Sequence, residues 1–318
     1  EKHLPAPDEE KGPAHQEEIA EVAELLKKNQ INQAFEVLWK KSEAEKDHDD
    51  RLRALGKIAT LARLLDKPDQ AEKAITAMTE LSLKLPAEDV FGTYKLRPLL
   101  DELVQRKDWQ TIRKIGDRFR SSSQFSKEDF HALSLIATYH LEGPKAFLKG
   151  LEESPTYGVN DTAAYAEFLN AEVSTNGPKL GEFVVRAWHA EGKRDLAWQT
   201  LQSLIVMNGG ADPFYRLATD QFPDAAPEFL RSLLTYNPYE ERPLIWLSEL
   251  ELRAGRPAEA HKLIDQAIAL DPSDGEQGKD SRMQAYDVLS RILKAEGNNE
   301  KAEFFAKVTK SIRQGEAA

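Results

Sequence analysis

Apolar residues recur three and four positions apart almost without interruption from about Gln16 to Arg313. Two runs show it plainly: Ile19, Val22, Leu25 and Leu26, then Leu52, Leu55, Ile58, Leu61 and Leu65. That spacing puts the apolar side chains on one stripe of an α-helix, whereas a half-buried strand needs strict alternation, which is absent over any useful length. The pattern predicts an all-α protein. Breakers cut it into helices of about ten to fifteen residues. They fall at Asp66-Lys67-Pro68-Asp69, Glu142-Gly143-Pro144, Thr175-Asn176-Gly177-Pro178, Asn208-Gly209-Gly210, Asn237-Pro238, Gly255-Arg256-Pro257, Asp271-Pro272 and Gly297-Asn298-Asn299. Many short helices with tight punctuation imply stacked hairpins, so an internal repeat is the first thing to test.

The repeat is plainest near the C-terminal end. Aligning Phe222 to Pro238 with Arg256 to Pro272 matches Ala226 to Ala260, Leu230 to Ile264, Leu233 to Ala267 and Pro238 to Pro272, always at an offset of 34. Each choice has a physical reason. A small residue near the start of a second helix lets it approach the first closely, apolar residues one and two turns later continue the buried stripe, and proline stops the helix. A third copy follows in Tyr286, Leu289, Ser290, Gly297 and Ala302, matching Leu244, Leu247, Ser248, Gly255 and Ala260 after an insertion of 8 residues, read as a polar loop from Ser273 to Ser281. Further copies lie at Gly192 to Ala197 with Leu201 and Leu204, at Asp66 to Ala71 with Ile75 and Met78, and, more weakly, at Asn29 to Ala34 with Leu38.

These segments resemble tetratricopeptide repeats, helix-turn-helix units of the same length. The resemblance is strong over residues 213–313, fair over 17–86 and 181–205, and poor over 87–180. Leucine mostly replaces the large aromatics of the family's first helix, and Leu100 to Ser154 keeps helical hairpins without the alanine signature. The resemblance implies a right-handed α-solenoid of about seven to nine hairpins over residues 16–318, with a concave wall that holds a partner protein. In the family's best understood peptide receptors, Lys and Asn on the inner helices clamp a terminal carboxylate. Here the corresponding positions of the two clearest units carry Arg242, Ile245, Glu249 and Leu252, then Gln284, Asp287, Arg291 and Lys294. An acidic side chain stands where such a clamp wants a donor. The expected partner is therefore a folded protein or larger assembly, held through paired charges and Leu or Ile anchors.

Charge narrows the choice of partner. The 318 residues hold 54 acidic against 43 basic side chains, a formal net charge of −11, and residues 1–50 alone carry fourteen acids against seven lysines. Acidity disfavours nucleic acid and anionic membrane surfaces, both of which are gripped by basic stripes. Residues 1–15, with three prolines and mixed charge, read as a flexible acidic lead or linker. No apolar run is long enough for a membrane span. The absence of cysteine removes disulfides, thiolate metal sites and cysteine nucleophiles, and it points to a bacterial periplasmic or otherwise extracytoplasmic home, the cytoplasm being the alternative.

Candidate chemistry is sparse, and no motif implies a cofactor or a catalytic residue. None of the seven histidines sits in a His-Glu-x-x-His pattern. Asp47-His48-Asp49-Asp50 has metal-ligand residue types but reads as a solvated acidic turn. Asp274 to Ser281 has the wrong glycine spacing for a phosphate loop, and Asn160-Asp161-Thr162 fits a glycosylation acceptor. Arg106, Lys107, Arg113, Lys114, Arg118 and Arg120 surround Trp109 and form the alternative site, a basic region for an anionic polysaccharide or nucleic acid. The bland reading of that stretch is a polar helix face with Trp109 packed between hairpins; Trp39, Trp188, Trp198 and Trp246 likewise read as core. The expected function is a non-catalytic protein-interaction scaffold.

Overall fold

The computed structural model describes residues 13–86, 96–120, 127–154, 168–173, 178–207, 212–270 and 278–316. Among these there are sixteen α-helices and no strand. They come as consecutive pairs: α1 Pro13–Lys27 and α2 Ile31–Ala44, α3 His48–Leu64 and α4 Pro68–Lys84, α5 Arg97–Gln105 and α6 Trp109–Phe119, α7 Lys127–Glu142 and α8 Pro144–Glu152. Then follow α9 Leu180–Ala190 and α10 Arg194–Met207, α11 Asp212–Gln221 and α12 Ala226–Tyr236, α13 Glu241–Arg253 and α14 Pro257–Leu270, and α15 Gly278–Ala295 with α16 Asn299–Glu316. The all-α expectation of helical hairpins holds.

The chain divides into two compact units, Glu1–Gly158 with Ala171–Gly177 and Val159–Asn170 with Pro178–Ala318. The first carries α1 to α8, the second α9 to α16. Within each unit the stacking follows one rule. A second helix packs on its own first helix and on the next pair's first helix, as α3 does on α4 and α4 on α5, or α13 on α14 and α14 on α15. First helices also touch each other directly, α3 with α5 in the first unit and α9, α11, α13 and α15 in sequence in the second.

One turn makes most of these hairpins. At Asn29, Asp66, Lys107, Gly192, Gly255 and Gly297 the backbone enters the left-handed region, with φ between 51° and 83°. The residue after each donates its N–H five positions back, as in Gln30 to Leu25 at 2.8 Å, Lys67 to Ala62 at 2.8 Å and Arg256 to Glu251 at 3.0 Å. Those bonds satisfy carbonyls that the helix end leaves open and reverse the chain for the second helix. Helix starts are fixed as locally. Pro68, Pro98, Pro144 and Pro227 stand in the first turns of their helices, while Asp47 and Asp108 cap α3 and α6 by accepting from Asp49 N at 2.9 Å and Thr111 N at 3.1 Å. Asp47, from the cluster with metal-like residue types, thus serves as a helix cap.

The alanine signature is buried wherever it was read: Ala34, Ala197, Ala226 and Ala260 expose none of their surface, and Ala71 and Ala302 very little. Leu201, Leu204, Leu230, Ile264 and Met78 lie beneath them. Two serines tie first to second helix in the same way 42 residues apart, Ser248 Oγ donating to Ala260 O at 2.7 Å and Ser290 Oγ to Ala302 O at 2.8 Å. In the region without that signature glycine does the same work. A Cβ on Gly116 would lie 2.8 Å from the Phe130 carbonyl and the Ser134 nitrogen, so α6 and α7 meet nearly backbone to backbone.

Some expectations shift. Helix α1 begins at Pro13, inside the stretch read as lead, and α15 begins at Gly278, inside the stretch read as a polar loop. Residues 1–12, Thr175 to Gly177, Asn208 to Gly210, Asp271 to Gln277 and the Asn160-Asp161-Thr162 acceptor pattern lie outside the described residues. No helix among the described residues is long and apolar enough to cross a membrane.

Candidate functional site

The expected partner wall falls on the first helices of the second unit, and three of its eight residues are enclosed. Arg242, Ile245 and Glu249 are buried because α13 is packed on every side, from Arg242 to Glu251 without a break. As open wall positions these three are corrected. Leu252, Gln284 and Asp287 are half-buried, and Arg291 and Lys294 are exposed.

A helix so enclosed can hold charged residues only if each finds a partner. Arg242 donates to Glu240 at 2.6 Å and stands 3.6 Å from Glu241 and 4.0 Å from Asp212. Burial raises the Glu240 carboxyl above its ordinary value, with Arg242 pulling against that rise, and burial drives the Tyr215 hydroxyl up strongly. Glu251 is held by Arg256 and by Arg231, the latter at 3.6 Å.

Glu249 forms the centre of a lattice that crosses three first helices. It accepts from Arg253 Nε at 2.7 Å, one turn along α13, and from both terminal nitrogens of Arg291 on α15, one at 2.9 Å. Arg253 continues to Asp220 on α11 at 2.8 Å. Burial pushes the Glu249 carboxyl up, but hydrogen bonds and charge from Arg291 and Arg253 outweigh that and hold it below the usual carboxylate range. The bidentate Arg291 fork adds geometric definition to the seam between α13 and α15. Arg216, on α11, reaches Gln284 at 3.4 Å and lies 5.8 Å from the ring of Trp246.

The alternative basic region is largely compensated. Arg106 pairs with Glu72 and Arg113 with Glu142, both from neighbouring helices, and Arg120 lies 3.7 Å from Asp117. Arg118 donates to the Leu85 carbonyl at 2.9 Å. Lys107 occupies a hairpin turn, and Lys114 is exposed. Trp109 is half-buried, with His140 stacked on it at 3.8 Å and nearly parallel. Burial and the charge of Lys107 keep that imidazole below its ordinary pKa. One indole face is thus already covered by the α7 side chain. The other tryptophans are engaged too: Trp39 donates to Gln70 at 2.8 Å under Lys73, Trp198 packs on Phe222 and Phe229, and Trp188 and Trp246 are buried.

The first unit has a seam of another kind. Between α3 and α5 runs an open groove whose floor is Gly56 against Pro98, so close that a Cβ on Gly56 would come within 2.9 Å of the proline ring. On one side Arg63 bridges to Glu102 at 2.6 Å and to Gln105 at 2.8 Å. Leu64, at 74% exposure, stands at the C-terminal end of α3 with half-buried Leu61 and Val104 near it. Sequence reasoning passed over Leu64, which stands three residues after Leu61 but is carried, by the drift of a three-residue spacing around a 3.6-residue helix, toward the face of Arg53 and Lys57.

No group of three or more His, Asp or Glu side chains suited to a metal ion occurs among the described residues. No family model matches the chain, and no curated protein matches it. Among solved structures it is similar to the crystal structure of the P58(IPK) TPR domain, at 12% identity over 95% of this chain and 98% of that one, with a TM-score of 0.23.

Proposed function

We propose that the chain is a non-catalytic protein-interaction scaffold which presents the seams between its first helices to a partner protein. The observation that supports this most directly is the recurrence of one hairpin geometry with different side chains in the seams: a constant frame and a variable surface. A preformed surface of packed helices binds without a large ordering cost. In the second unit the part of the expected wall still open to a partner is Leu252, Gln284, Asp287, Arg291 and Lys294. The reading as a module for an anionic polymer is weaker, because Glu72, Asp117 and Glu142 already answer Arg106, Arg113 and Arg120. An extracytoplasmic home is part of the same proposal and rests on the lack of cysteine.

The test is recovery of a discrete partner in stoichiometric amount with the purified chain, followed by reconstitution of that complex from purified components. Lys294→Glu, at an exposed position outside the Glu249 lattice, weakens a complex formed on the second unit and leaves one formed on the first unchanged. Absence of any stoichiometric partner, or hydrolytic or transfer activity in the pure chain, defeats the scaffold reading.

A further inference from the structure

The groove between α3 and α5 is polarised along its length. At the N-terminal end of both helices it is lined by Arg53, Lys57 and Arg97, and at the C-terminal end by Leu61, Leu64 and Val104 beside the bridge from Arg63 to Glu102 and Gln105. The polarity follows from helical register. Arg53, Lys57, Leu61 and Leu64 fall four, four and three residues apart and so share one face of α3, while Arg97 opens α5 on the facing side. From Arg53 to Leu64 the axial distance is about 16 Å at the helical rise per residue. The groove occupies about 820 Å³.

Charge tells what fits. Arg53, Lys57, Arg63 and Arg97 face two lining carboxylates, Asp101 and Glu102. Arg63 is committed to Glu102. Arg53 holds a looser, exposed ion pair, 3.4 Å to Asp50, worth little and readily exchanged for a ligand carboxylate, while Arg97 lies 3.6 Å from the more enclosed Glu172. The positive N-terminal end of α5 adds to the same field. At the other end Leu64 is an aliphatic side chain in water with Leu61 and Val104 behind it, the form of an anchor site with no anchor in it.

We propose that this groove is the docking site for an acidic amphipathic helix of a partner protein, whose carboxylates lie against Arg53, Lys57 and Arg97 and whose aliphatic anchor packs on Leu64. The proposal rests on the scaffold reading and adds to it the partner's chemistry: carboxylates and anchor about three helical turns apart on one face of the bound helix. In the second unit the corresponding seam is bridged by Arg253, Glu249 and Arg291.

The experiment uses the full chain and fluorescein-labelled synthetic helical peptides of about 18 residues, each with a leucine stripe at one end. One pair carries Glu at the opposite end, N-terminal or C-terminal, and its counterpart carries Lys there. Fluorescence anisotropy is expected to give micromolar binding for one Glu peptide and at least about tenfold weaker binding for both Lys peptides. Raising salt weakens the Glu complex. Lys57→Glu and Leu64→Asp, both at exposed positions, each weaken it by about tenfold or more while the helical circular dichroism stays unchanged, and the melting temperature of the Leu64→Asp chain does too. Equal binding of Glu and Lys peptides, no binding of either, or indifference to both substitutions overturns the proposal. So does a free chain that sediments as a dimer and becomes monomeric with Leu64→Asp, which makes a second copy the occupant. Failure here, alongside a purified complex insensitive to Leu64→Asp, leaves the scaffold function standing and removes only this groove from it.

Discussion

The two units build their seams between first helices in opposite ways. In the second, α11, α13 and α15 are stitched by a chain from Asp220 through Arg253 and Glu249 to Arg291, and α13 disappears into the interior. In the first, α3 and α5 meet at Gly56 and Pro98, bridge through Arg63 to Glu102 and Gln105, and leave Leu64 standing in solvent. The turns, the alanine or glycine contacts and the order of packing are shared. The difference teaches that one hairpin frame accommodates two kinds of seam: what fills the gap between neighbouring first helices varies, ion pairs in one unit and a glycine–proline contact beside an exposed leucine in the other, while the hairpins do not.

The largest expected effect tests whether the frame really is shared. Ala260→Leu places extra methylenes where no surface is exposed, and overpacking of this kind costs about 1–3 kcal/mol. Ala34→Leu, fully buried in the first unit, is expected to cost about as much, while Lys262→Leu on the exposed side of α14 stays within about 0.5 kcal/mol. Chemical denaturation of the three variants decides it. A cost at Ala260 without one at Ala34 means that the two units do not obey one packing rule.

Next comes the lattice. Arg291→Ala leaves the enclosed Glu249 carboxylate with Arg253 alone, which is expected to cost about 1–2 kcal/mol. That is less than for a fully buried pair, because Arg291 itself is half exposed to water. Leu64→Asp in the first unit changes stability by no more than about 0.5 kcal/mol, since nothing packs over most of that side chain. Equal losses at both positions would erase the distinction between a closed seam and an open one.

Acid titration separates the seams more finely. Glu249 has a folded pKa below its unfolded value, so its contribution is complete above the ordinary carboxylate range and is lost as pH falls through that range and below it. Glu182 and Glu240, raised by burial, act in the opposite sense: their ionised forms cost stability, and the cost vanishes as pH falls through their raised values. The groups facing Glu249 are Arg253 and Arg291, with Asp220 beyond Arg253. Melting temperatures followed from about pH 6 to pH 3 are expected to fall less steeply for Glu249→Gln than for the parent chain. Parallel curves would mean that the lattice carries no net pH dependence.

How much of this was legible in the sequence follows from what each feature depends on. Helices, hairpins and the alanine contacts at Ala197, Ala226 and Ala260 rest on local periodicity and side-chain size, which the sequence states outright. The seams rest on register between helices that are far apart in the chain. Arg291 and Glu249 are 42 residues apart, and nothing in either helix alone says that they meet. Arg242, Ile245 and Glu249 were placed on an open wall because their positions within the repeat point there; contacts of α13 with α11, α12, α14 and α15 enclose them instead. The basic run at 106–120 was legible as charge, but its partners Glu72 and Glu142 lie on other helices. Leu64 follows Leu61 at ordinary helical spacing, and only the gap beside α5 shows that it faces solvent.

The smallest effect concerns the turns, where the two units again differ. The left-handed position is glycine at residues 192, 255 and 297 in the second unit, but Asn29, Asp66 and Lys107 in the first. Asparagine and aspartate tolerate that backbone because their short polar side chains bond locally, whereas lysine only bears the steric cost of its Cβ. Lys107→Gly is therefore expected to raise stability by about 0.5–1 kcal/mol, relief of left-handed strain outweighing the added freedom of the unfolded chain. Gly255→Ala, the reverse change in the second unit, is expected to lower it by about 1 kcal/mol, although a methyl there meets nothing within 4 Å. Urea midpoints for both variants measure the difference. Because Lys107 also lies beside His140, the Lys107→Gly chain should in addition show that imidazole titrating at a higher pH by proton NMR, one of the two influences that depress it having been removed. A stabilised chain with an unmoved His140 would separate the turn from the charge, and a destabilised one would mean that Lys107 holds its turn through contacts that outweigh backbone strain.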